Sequence, residues 1–462
     1  MTRRLSAIFL AWLLASGLAS AGGPLLVTGP SAVQPGQAFV WANASAIHYT
    51  VDSGPLSVNP SGQTVISNAQ GLTRVQSLFQ NWHAVSSAAI AYTYAGPITG
   101  ISGGDVKTVQ DFNTIKGSCN SGSQSPVIFD SNGSLLKSLG LDPLVIGFSS
   151  PCKLDTQAGH IASAMILLNG AFQDGVTNFS AKNFELSVDQ FDEAITHEMG
   201  HFSGLDHSQI NLDLFQSGQV NNCDVDELAG LPLMFPVAFC QSRKSAGLPI
   251  LAPDDAAWIS KLYPGPAFSS TYGTISGFVF FSDGITALQG VNVVARRVDD
   301  PNTTADESKR IAFSVVSGFS FTGNPGQAIS GDNTNGSSFG SRNSALIGYY
   351  EIPVTAGTYT IQVEGINPSF AGGSSVGPLD PPSPMPGASE FWHKNESAFD
   401  VTQQHDPVTV TAGQKLSNLN FILNGTAPRF DPNEDGEVRL ITPENPFLLR
   451  EPKAPWRAGD FS

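Results

Sequence analysis

Three histidines and a glutamate crowd one short stretch, DEAITHEMGHFSGLDHS, residues 192–208. His197, His201 and His207 are three of only 8 histidines in 462 residues, and Glu198 stands beside the first. Neutral imidazole nitrogens are strong zinc ligands, and a carboxylate next to them can take up a proton. Three protein ligands leave the fourth position of a tetrahedral ion open for water. That is the catalytic arrangement, whereas a structural site is usually closed by four. Zinc lowers the pKa of such a water towards neutrality, so the stretch points to metal-assisted hydrolysis with Glu198 as general base.

For these side chains to meet, the chain must begin as a helix and then leave it. Ser187 followed by Gln190 is a capping-box start, and Asp189 and Asp192 suit the positive end of the helix dipole. Val188, Phe191, Ile195 and Met199 recur at helical spacing and predict a core-facing stripe. His197 and His201, four apart, then project from one face, one turn apart. On a continued helix His207 would lie about 9 Å beyond His201 along the axis, too far to share an ion. The helix must therefore break, and Gly204 is the residue that can take the positive φ of such a turn. Chance agreement with all these positions is on the order of one in ten thousand at average residue usage.

The chain around this stretch reads as a secreted protein of more than one domain. Arg3 and Arg4, the apolar run from Leu5 to Leu18, and Ala19-Ser20-Ala21 form a secretory signal with cleavage expected after Ala21. The apolar run is short for a membrane span, and no later stretch is long and apolar enough. The remaining chain is too long for one ordinary core. A formal net charge of −16 argues against nucleic acid and anionic membrane surfaces as partners. The 4 cysteines, Cys119, Cys152, Cys223 and Cys240, suggest two disulfides. Three connectivities can join them, and pairing of sequence neighbours is expected.

HEMGHFSGLDH matches the HExxHxxGxxH signature, and on it the chain resembles the metzincin zinc endopeptidases. LPLMFP places Met234 where metzincins carry a methionine turn beneath the metal. Ser208 and LAPDDAAWISKLYPG, residues 251–265, resemble the matrixin branch. So do AIHYTVDSGPLSV and LTRVQSLFQNWHAVSSAAIAYTY, which look like an opening strand, first helix and second strand. The likeness spans roughly residues 45–265. It implies an α/β (α+β) domain with a twisted, mostly parallel sheet and three helices. It implies one catalytic zinc on His197, His201 and His207, with Glu198 as base and Met234 supporting the site without ligating. Peptide would lie extended along an edge strand. ASAMILLNGAF, 162–172, is the candidate edge, with an ordinary buried strand as the alternative.

Some family features have no counterpart. No cysteine precedes Cys119, so the latency cysteine of matrixins is missing. Pro236-Val237-Ala238 replaces the Pro-x-Tyr of the primed-side pocket, and Pro236 stands where other metzincins carry a tyrosine ligand. His160 alone does not reproduce a structural zinc site.

Beyond Gly265 the pattern changes to short alternating strands. GTISGFVFF, GVNVVARRV, GYYEIPV and GTYTIQVEG alternate, as does NLNFIL through Leu419, Phe421 and Leu423. In one run Tyr359, Ile361 and Val363 face one way and Thr358, Thr360 and Gln362 the other. This predicts an all-β sandwich over 266–425 that resembles the carboxypeptidase regulatory-like, transthyretin-like domains. Residues 301–345 and 367–390 read as long loops. An arm at 22–44 precedes the first domain, and a tail over 426–462 is expected to be disordered. Structural calcium stays open without assigned ligands. Asp431, Asn433, Asp435 and Gly436 start like a calcium loop, but Thr442 stands where its glutamate belongs. Asp130 and Asn132 read as a turn, and Asp224, Asp226 and Glu227 as a solvated loop.

The expectation is thus a secreted zinc endopeptidase acting on peptide or protein substrates. The alternatives are an extracellular binding or adhesion protein that works through its sandwich, and a surface protein whose zinc only holds the fold. Substrate, activation and oligomeric state are not encoded legibly.

Overall fold

A computed structural model describes residues 22–425 except 177–184, 219–221, 323–337, 371–375, 378, 380, 381 and 383. The expected signal (1–21), the tail (426–462) with its calcium-like stretch, and parts of the two expected loops lie outside the described residues.

The first part is α/β. Its strands are β1 (Val40–Trp41), β2 (Ile47–Val51), β3 (Tyr92–Pro97), β4 (Pro126–Asp130), β5 (Gly147–Asp155) and β6 (His160–Asn169). They form one sheet in the order β1–β6–β4–β2–β3, all parallel, with β5 antiparallel on the far side of β6. The main helices are α1 (Asn68–His83), α2 (Val109–Ser121), α3 (Val188–Phe202) and α4 (Pro253–Leu262). Capping boxes at Ser67, Thr108 and Ser187 satisfy orphan amides at the starts of α1, α2 and α3.

The edge falls elsewhere than expected. β6 is hydrogen-bonded on both sides, by β1 and β4 on one and β5 on the other. Its run Ala164–Asn169 is buried throughout, the mark of an interior strand covered on both faces. The antiparallel edge is β5.

The second part contains two sheets. Strands β7 (Tyr272–Phe280), β8 (Asn292–Arg297), β9 (Ala312–Val316), β10 (Tyr349–Thr355) and β11 (Gly357–Glu364) supply most of it. They are joined by β12 (Glu390–Phe391), β13 (Val408–Val410), β14 (Lys415–Leu416) and β15 (Phe421–Ile422). One sheet runs β9–β8–β11–β12 with β13 also on β11, antiparallel throughout. The other runs β10–β7–β14 with β15 also on β7. Tyr359, Ile361 and Val363 are fully buried, as their alternation predicts. NLNFIL is strand only at β15.

β9 lies inside the segment expected to be a loop. All five of its residues are buried, so the chain there shows no alternation to read. A single apolar cluster joins Phe79, Met199 and Trp258 of the first part to Ile275, Val293 and Ile352 of the second. Asp224, Asp226 and Glu227 are not a solvated loop. Asp224 caps a short helix, Val225–Gly230. Asp226 pairs with Arg310 and Glu227 with Lys309, cations supplied by the second part. Asp130 and Asn132 do form a turn, accepting from the amides of Leu136 and Ser134.

Disulfides join Cys119 to Cys152 and Cys223 to Cys240, the neighbour pairing expected. The first ties α2 to β5. No helix among the described residues is long and apolar enough to cross a membrane.

Candidate metal centre

The centre is built on α3. Ser187 Oγ accepts from Gln190 N at 3.2 Å, and Gln190 Oε1 accepts from Ser187 N at 3.1 Å, which starts the helix. Phe191, Ile195 and Met199 are fully buried and press it into the core. Val188 does not join their stripe: at the first position of the helix it is 58% exposed. The helix ends at Phe202, and Gly204 takes φ 89°. Gly204 N donates to His201 O at 2.9 Å and Leu205 N to Gly200 O at 3.0 Å. This is a Schellman closure, and it turns the chain back on itself.

His207 is thereby brought to the other two histidines. Its Nε2 lies 3.2 Å from His197 Nε2 and 3.1 Å from His201 Nε2. Two of the rings are oriented from behind. His197 Nδ1 sits 2.7 Å from Leu233 O, and His201 Nδ1 sits 2.9 Å from Leu205 O. A carbonyl can only accept, so both Nδ1 atoms carry the proton and both Nε2 atoms present lone pairs. Burial holds His197 down to about 4; burial, then the nearby His197, hold His201 down to about 3. Both are therefore neutral near pH 7.

Lone pairs converging at this separation repel unless a cation lies between them. Nitrogens bound tetrahedrally at 2.0–2.1 Å stand about 3.3–3.4 Å apart, close to the spacing found. The donor set fits zinc and other divalent ions that accept imidazole. Among the described residues this is the one group of three or more His, Cys, Asp or Glu side chains so disposed. His160, at the start of β6, is not part of it.

Glu198 is 8% exposed, and its Oε2 meets no protein donor. Burial pushes its carboxyl up to about 8. Gly147, the first residue of β5, makes room for it. A Cβ there would lie 2.6 Å from Glu198 Cγ and 3.0 Å from its Oε1. Met234 lies beneath the helix. A Cβ on Gly200 would come 2.3 Å from its sulfur.

The turn around Met234 is itself anchored by α4. Asp255 Oδ2 accepts from Leu233 N at 2.7 Å, and Oδ1 from Met234 N at 3.1 Å. The carbonyls of the same two residues act on the histidine segment. Leu233 O orients His197, and Met234 O accepts from Ser208 N at 2.9 Å, just after His207. The N-terminal arm borders the ligand turn as well, with Leu25 N bonded to Gly204 O and Asp206 N to Gly23 O. The places of Gly147, Asp255 and the arm at this site are not legible in the sequence. Asp255 shows there only as an acid at a helix start, and Gly147 carries no signal of its own.

Comparison with models of known protein families finds none that matches this chain, and a search of curated proteins finds no match either. The chain is a mixed α/β protein with a parallel sheet, several antiparallel pairings and a three-histidine cluster that could hold a metal ion.

Proposed function

We propose that the protein is an extracellular zinc-dependent endopeptidase of metzincin, matrixin-like type, carrying a carboxypeptidase regulatory-like β-sandwich. The observation that carries this reading is the convergence of three imidazole Nε2 atoms beside a buried carboxylate whose Oε2 meets no protein donor. His197, His201 and His207 would hold the ion. Bound there, zinc would act as a Lewis acid on a peptide carbonyl and on water.

The chain's own residues would do the rest. A peptide laid extended along the free edge of β5 would pair through its main chain, as in β-strand addition. β5 begins at Gly147, against Glu198, so a strand on that edge passes the carboxylate. With an ion held by the histidines, the Glu198 carboxyl would be drawn back down into its ionised form, and Glu198 would then accept a proton from the attacking water and return it to the amide nitrogen as the bond to carbon breaks. Its buried position excludes bulk water and keeps the proton local. Pro236 follows Phe235 beyond the methionine, so no tyrosine stands there to compete for the ion. Two disulfides fit an extracellular location.

The test is hydrolysis of peptides by the full chain. Glu198→Ala is expected to keep the metal and lose about 10²–10⁴-fold in rate. Unchanged rates in that variant would remove Glu198 from the reaction.

A further inference from the structure

The four residues after the third histidine are all gripped by the second part of the molecule. Ser208, Gln209, Ile210 and Asn211 are at most 1% exposed. Ser208 Oγ lies 3.0 Å from Ser314 Oγ on β9. Ser314 is fixed in turn, its N donating to Asp254 Oδ1 and its O accepting from Trp258 Nε1, both on α4. Gln209 Nε2 donates to Glu364 Oε1 at 3.0 Å and to Gly365 O at 2.9 Å, at the end of β11. Its Oε1 accepts from Asn367 N at 3.1 Å. Ile210 packs on Val294 of β8 and Ala312 of β9. Asn211, at φ 58°, donates to Lys309 O at 2.9 Å and accepts from Arg296 Nη1 at 2.7 Å.

His197 and His201 are placed by a helix. His207 is not: it follows the Gly204 turn and belongs to no helix or strand. Its position depends on what holds the chain on either side. Upstream that is the Schellman closure; downstream it is the bond from Ser208 N to Met234 O and then this grip.

We propose that the β-sandwich is a working part of the metal centre, setting the third ligand by clamping residues 208–211, with Gln209 as the positioning residue. All three hydrogen bonds of the Gln209 amide go to one short segment, 364–367, so its side chain locks the peptide two residues beyond His207. The inference rests on the metal-centre reading above. Partners that orient metal ligands from behind typically contribute 10–100-fold in metal affinity. The Gln209 amide reaches its ligand through two peptides and should act at that level.

The experiment is Zn²⁺ affinity of the full chain by competition with a chromophoric chelator, at a temperature where circular dichroism shows every variant folded. Co²⁺ absorption and the melting temperature of metal-free protein are read alongside. Gln209→Ala is expected to weaken Zn²⁺ binding about 10–100-fold and to perturb the Co²⁺ spectrum. Ser314→Ala, a milder change in the same clamp, should shift both in the same direction and serves if Gln209→Ala does not fold. Ile352→Val, buried in the other sheet, should lower the melting temperature and leave Zn²⁺ affinity unchanged. His207→Ala should bind far more weakly than any of these. If Gln209→Ala and Ser314→Ala bind Zn²⁺ like wild type while His207→Ala does not, the clamp is overturned and the metal centre stands. If His207→Ala binds like wild type, the metal-centre reading fails and the clamp with it.

Discussion

The backbone of Leu233 and Met234 links the histidines to α4. Asp255 holds their amides, and their carbonyls orient His197 and tether the residue after His207. Such a role is invisible in sequence, where only the methionine draws notice. The histidines were legible for the opposite reason: all three and the neighbouring Glu198 lie within one short stretch, so spacing alone carries the geometry. Gly147 marks the limit of that legibility, since its partner Glu198 is some fifty residues away. Gly147→Ala is expected to keep the fold and the metal but to push Glu198 aside, lowering kcat about 10–100-fold, in line with the cost of misplacing a reacting group. Paired measurements of kcat and bound zinc check this. A variant with full kcat would mean that Glu198 does not need the space.

At the scale of elements, α3 was readable because caps, dipole charges and a helical stripe agree. Ser187→Ala should therefore cost about 1 kcal/mol by removing the cap, seen in denaturant unfolding, with the metal site kept. Val188 was misread because the first helical position points away from the core even where spacing suggests otherwise. β9 was missed because a strand buried on both faces has no alternation. β12 supplies a pH prediction. Glu390 is buried, and burial pushes its carboxyl up to about 8, with Glu396 and Asp400 adding to the push. The folded state favours the protonated acid relative to an unfolded chain, where it titrates near 4.5. That stability is fully present below about 4.5 and is lost as pH rises through about 8. Glu390→Gln cannot ionise, so its melting temperature should fall less than that of wild type between about pH 5 and pH 9. Parallel curves would show that Glu390 is not the group responsible.

For the molecule as a whole, composition and strand patterning revealed two kinds of architecture but not how tightly they join. The residues that join them, Ser208, Gln209 and Asn211, look like ordinary loop polars in sequence. Their partners are 85–158 residues away. The shared apolar cluster and the ion pairs Lys309–Glu227 and Arg310–Asp226 make the same point. A chain ending at residue 265 would expose that cluster to water, at about 25 cal/mol per Å² of apolar surface. It is expected to melt well below the full chain or to aggregate, as calorimetry would record. Full-chain stability in the fragment would contradict the joint core.

The central claim is that three histidines and Glu198 cut peptide bonds, and one measurement tests it most directly. The full chain, Glu198→Ala and a chelator-treated sample would each be given a diverse peptide library, with bound zinc quantified in every case. The account predicts about one zinc per chain in the first two and cleavage only in the first. Zinc bound at one per chain with no peptide cut, or cuts that persist without Glu198, would contradict it.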